Sequence, residues 1–156
     1  MFWIIIAISL LILIYLVYIY NNLVSLQNSA RGAWSDIEVQ LKKRFNLIPN
    51  LVNVVKGYTK YESETFEKVI QARNMFSSAT NENEKIAVTQ MLNNGLNGIF
   101  ALAENYPELK ADTQFSKLQN ELTNLENDIE GARRYYNAVI RDYNTKIASF
   151  PDVKKL

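Results

Sequence analysis

The chain has 156 residues, 17 lysines and arginines against 16 aspartates and glutamates, and neither histidine nor cysteine. The missing cysteines exclude disulfides, thiolate nucleophiles, iron–sulfur clusters and sulfur-ligated zinc; the missing histidines exclude an imidazole base, a serine–histidine–aspartate triad and a histidine-bound metal. A net charge of +1 offers nucleic acid no strongly basic face, and five glycines with three prolines favour helices over β-turn architectures.

Residues 2–20, FWIIIAISLLILIYLVYIY, carry no charge. As a helix they rise roughly 28 Å, close to the hydrocarbon thickness of a bilayer. Phe2 and Trp3 at one end and Tyr15, Tyr18 and Tyr20 at the other match the aromatic belts of a spanning helix. A cleaved signal peptide needs a basic leading region and a small-x-small cleavage site, and neither is present. A core helix is rarely apolar all round for so long. The expectation is a permanent single-pass anchor over residues 1–20. No cation precedes it, and Arg31, Lys42, Lys43 and Arg44 follow it. The positive-inside rule therefore places the C-terminal domain in the cytoplasm.

Residues 21–156 read as helix throughout. Leu23, Leu26, Ala30, Trp34, Ile37, Leu41, Ile48, Val52 and Val55 recur at helical spacing on a first helix over about 21–56, continuous with the anchor. Pro49 interrupts that stripe and predicts a kink rather than a break, because the stripe keeps its phase on both sides. Gly57 is placed as a C-terminal cap, and Thr59 with Glu62 as a capping box for a second helix over 59–78. Asn81 with Glu84 starts a third, 82–105, whose apolar face holds Ile86, Leu92, Leu96, Ile99 and Leu102. Gly95 and Gly98 inside it each cost up to ~1 kcal/mol against alanine, which points to close packing there. Tyr106-Pro107 ends it.

A fourth helix over 113–150 steps through Phe115, Leu118, Leu122, Leu125, Ile129, Ala132, Tyr136, Val139, Tyr143, Ile147 and Phe150, a coiled-coil-like seam. Asp112 or Thr113 caps its start and Pro151 marks its end. The first and fourth helices have matched lengths, roughly 54 and 57 Å, and bracket two shorter ones. The fold class is therefore all-α: an N-terminal transmembrane helix running into an antiparallel up-and-down bundle of about four long helices.

The fourth helix is acidic early and basic late. That ordering suits the helix dipole, and in an alternating bundle it also returns the basic end towards the bilayer. Arg31, Lys146, Lys154 and Lys155 are thus candidate headgroup contacts. Tyr136-Asn137 and Tyr143-Asn144 lie seven residues apart on one face. Their tyrosines belong to the seam, while Asn137 and Asn144, with Arg133 and Arg141, form the candidate contact surface. Lys42-Lys43-Arg44 reads as an exposed helix face, and Glu126 and Glu130 as solvated acids off the seam. No catalytic residue, metal ligand or cofactor is expected.

The stretches AWSDIEVQLKKRFNLIPNLVNVVKGYTKYE, ALAENYPELKAD and LQNELTNLENDIEGARRYYNAVIRDYNTKIASFP closely resemble the LemA family across essentially the whole chain. The positions that carry over are Trp34, Pro49, Gly57, Tyr58, Tyr106, Pro107, Tyr136, Tyr143, Phe150 and Pro151. The resemblance implies a bacterial cell-membrane protein, a bundle of long helices on one span. It also implies a role without an assigned reaction, which one branch exercises in forming internal membrane compartments. The functional expectation is a non-enzymatic homo-oligomeric scaffold with membrane lipids as partners. The alternative is a monomeric adaptor docking on a membrane enzyme such as a protease.

Overall fold

The computed structural model describes residues 2–59 and 63–149, and among these there is no strand. The elements are α1 (Phe2–Lys56), α2 (Ser63–Ser78), α3 (Glu82–Glu104), α4 (Pro107–Lys110) and α5 (Thr113–Ala148). The all-α class and the long apolar first helix stand as expected.

The helix α1 runs unbroken through Pro49. A proline in a helix interior costs about 3 kcal/mol, because it offers no N–H to the carbonyl one turn back. Here Phe45 and Ile48 on one side and Leu51 and Val52 on the other are all at most 3% exposed. Burying each contributes roughly 1.5–3 kcal/mol, so packing outweighs the defect.

The chain divides into two compact units. The second, residues 38–129, holds the main core: Ile48, Leu51 and Val55 of α1, Phe66 and Val69 of α2, Leu92, Leu96 and Ile99 of α3, Leu109 of α4 and Phe115 and Leu122 of α5. Gly95 sets the approach of α3 to α2, since a Cβ there would stand 2.5 Å from Val69 Cγ2. A Cβ on Gly98 would meet Thr65 Cγ2 at 3.2 Å. The close packing expected from the two glycines is thus present, with α2 as the neighbour. The first unit, residues 1–37 and 130–156, joins the start of α1 to the end of α5. Among the described residues, Ala30, Ala33, Ile37 and Val139 are its buried apolar residues.

Several local expectations are corrected. A fifth element, α4, follows Tyr106; Pro107 sits at its first position, where the missing N–H costs nothing. Gly57 lies in the turn after α1, where its N–H donates to the Val54 carbonyl at 3.1 Å, but its φ is outside the left-handed region. It does not close the helix as a left-handed cap. The second helix is described over Ser63–Ser78; buried Thr59 donates its hydroxyl to the Val55 carbonyl at 3.5 Å, and its expected capping partner Glu62 lies outside the described residues. At the third helix Asn81 accepts from Glu84 N at 2.9 Å, whereas the Glu84 carboxylate reaches one residue further back than expected, to Thr80 N at 2.8 Å. Ile86, placed on the apolar face, is 40% exposed.

Candidate membrane and contact surfaces

The apolar segment at the start of α1 is wholly outward. Every residue from Phe2 to Tyr18 is exposed, and none of the most apolar stretch is buried inside the protein. This excludes a core helix, whose apolar residues are mostly buried. A contiguous apolar surface of this extent marks contact with a membrane or another protein. By length and composition the segment is able to cross a bilayer. The first cation after it, Arg31, is exposed.

The end of α5 lies against α1 in the first unit. Trp34 and Tyr136 meet with ring centroids 5.5 Å apart and planes tilted by 55°, a favourable aromatic geometry. Tyr136 and Tyr143 are half-buried, as their place on the seam requires, while Asn137, Arg141 and Asn144 are exposed and Arg133 is half-buried. Steps of four, four and three residues put Arg133, Asn137, Arg141 and Asn144 on one side of α5. The structure thus brings these four together next to the two tyrosines. Lys146 is exposed. Phe150, Pro151, Lys154 and Lys155 lie outside the described residues.

The second unit contains a charged interior that sequence reasoning missed. Arg44 is only 6% exposed and is ion-paired with Glu126 of α5, whose side chain is half-buried. Lys42 and Lys43 are exposed as expected, but Arg44 is not, and Glu126 is not a solvated acid. Taking both ions from water is costly, so neither is stable there without the other. Glu38 of α1 is likewise paired with Lys85 of α3, partly buried. Beside that pair lies an open groove of about 400 Å³ lined by Glu38, Lys42, Phe45, Asn46, Arg73, Phe76, Ser77, Ala79 and Lys85. Phe45 and Phe76 stack in it, centroids 4.1 Å apart and planes within 14°.

At the other end of the same unit the Tyr58 hydroxyl donates to Asp112 Oδ2 at 2.6 Å. Asp112 Oδ1 also accepts from Gln114 N and Phe115 N at 2.7 and 2.8 Å, capping α5. The Tyr58 bond and these two amides hold the Asp112 carboxyl below the usual carboxylate range. The same bond to the carboxylate raises the Tyr58 phenol above its ordinary value. The expected cap at Asp112 is present, and Tyr58 and Asp112 tie the end of α1 to the start of α5. Among the described residues no cluster of acids has the geometry of a metal site.

Residues 33–154 match the LemA family. The chain belongs to that family. Protein LemA of Metamycoplasma hominis is 30% identical over 142 residues, covering 87% of this chain and 64% of that protein. The magnetosome protein MamQ of Magnetospirillum gryphiswaldense is 23% identical over 158 residues, covering 85% and 58%. A second magnetosome protein, MamQ 2 of Paramagnetospirillum magneticum, is 22% identical over the same length. The chain spans less than two thirds of the length of these curated relatives. The LemA match covers Trp34, Pro49, Tyr58, Tyr136 and Tyr143 but starts after the apolar segment, so the family is carried by the helices beyond it.

Proposed function

We propose that the chain is a non-enzymatic membrane-anchored scaffold. Residues 2–20 cross the bilayer once, the later helices stand on its cytoplasmic side, and copies associate side by side to organise or shape the membrane. The observation that carries this reading is one unbroken helix leading from a wholly exposed apolar segment to Ala30, Ala33 and Trp34, where α5 packs against it. Two helices alone leave Leu23, Leu26, Trp34, Tyr136, Ile140 and Tyr143 only half-buried, apolar surface that neighbouring copies in the same membrane would cover. The exposed Arg31, Lys42 and Lys43 all follow the span, which favours the cytoplasmic orientation. Arg31 and Lys146 would lie near anionic headgroups, at ~1 kcal/mol for each cation close to the surface. The relatives named for the magnetosome favour a part in a cellular structure over a reaction.

The test is the mass of the full-length protein excised with its surrounding lipid. Assemblies of several 18.0 kDa subunits are expected. A single-subunit mass across a wide concentration range would overturn self-association and leave the monomeric adaptor that docks on a membrane enzyme.

A further inference from the structure

The groove of the second unit has no part in the scaffold reading. We infer that it is a docking site for a short acidic peptide segment with an apolar side chain, presented by a partner protein. Its floor is the half-buried Phe76, stacked on the buried Phe45 beneath it. Its rim carries three cations, Lys42, Arg73 and Lys85, against one acid, Glu38. Glu38 is committed to Lys85. Among the described residues Lys42 and Arg73 make no ion pair, and both are exposed. In a chain of net charge +1, two unmatched cations on one groove are a local excess.

The chemistry that answers these features is specific. Arg73 offers a planar fork and Lys42 a point charge, both suited to carboxylates. The aromatic floor takes an apolar side chain, and Asn46 and Ser77 bring an amide and a hydroxyl for a passing backbone. The volume lies within the range of small-ligand sites, and the open side admits a through-running chain. The inference does not depend on how many copies assemble.

The experiment uses full-length protein in phosphatidylcholine nanodiscs and a fluorescein-labelled Glu-Phe-Glu-Leu-Glu peptide, read by anisotropy. Saturable binding is expected. Lys42→Glu and Arg73→Glu, each at an exposed position, should weaken it at least about tenfold, with unchanged circular dichroism. Lys117→Glu, exposed and outside the groove, should leave it unchanged. A Glu-Gly-Glu-Gly-Glu peptide should bind several-fold more weakly. Absent saturation, equal binding of the glycine peptide, or indifference to Lys42→Glu with Arg73→Glu would overturn the inference. So would displacement of the peptide by phosphatidylglycerol in the disc, which would reassign the groove to lipid headgroups.

Discussion

Arg44 and Glu126 form an ion pair inside the second unit, with 7% of the arginine side chain and 27% of the glutamate side chain exposed. Removing one partner strands the other's charge in a poorly solvated place. Glu126→Leu should lower stability by roughly 2–4 kcal/mol, whereas Arg44→Met with Glu126→Leu should recover most of that loss. Urea unfolding followed by circular dichroism checks both. Equal stability of the single and double variants would show that the pair is not coupled.

The glycines give predictions of opposite sign. An alanine Cβ at Gly95 would stand 2.5 Å from Cγ2 of the fully buried Val69, so the valine or the helix must shift. Gly95→Ala should cost about 1–3 kcal/mol despite alanine's better helix propensity. Gly32 lies mid-helix with nothing within 4 Å of the added atom, so Gly32→Ala should stabilise by about 0.5–1 kcal/mol. Adding Val69→Ala to Gly95→Ala should relieve part of the clash, and a double-mutant cycle measures the coupling.

The Tyr58–Asp112 bond predicts a pH dependence at both ends. The Asp112 carboxyl is lowered, so its contribution is present above the ordinary carboxylate range and is lost as pH falls through the folded-state value. The Tyr58 phenol is raised, so its contribution is complete below the ordinary phenol range and is lost as pH rises through its folded-state value. Tyr58→Phe should move the Asp112 titration upward, though not fully to normal, because Gln114 N and Phe115 N still donate to it. Carbon-detected NMR titration of the carboxyl reads this; an unmoved Asp112 would exclude the bond.

Headgroup contact is checked with the chain truncated before Asn21 and mixed with vesicles. Binding should rise with the fraction of phosphatidylglycerol and fall by a few-fold in Arg31→Glu with Lys146→Glu. Binding that ignores lipid charge would retire these contacts.

Much of the fold was legible because most apolar positions obey one period: Ile37, Leu41, Ile48, Val52 and Val55 of α1 and Phe115, Leu122, Leu125 and Ile129 of α5 are all buried. The ion pair was hidden by its charge. Yet Arg44 stands three residues after Leu41 and four before Ile48, and Glu126 four after Leu122 and three before Ile129. Both lie beside seam positions; the seven-residue step from Leu41 to Ile48 was the available signal for Arg44, whereas the α5 stripe runs unbroken through Leu125 and marked nothing at Glu126. α4 has four residues, too few for any period to register. The continuity through Pro49 was legible from the stripe's unbroken phase and not from local propensity, which proline opposes. The groove was invisible because Phe45, Arg73 and Lys85 come from three helices and share no spacing.

On the proposed reading, residues 2–20 stay in the protein as its membrane span. The direct measurement is the intact mass of the protein recovered from membranes washed with alkaline carbonate. The full 18.0 kDa chain is expected in the washed membrane fraction. A chain lacking its first twenty residues, or the protein released into the wash, would contradict it.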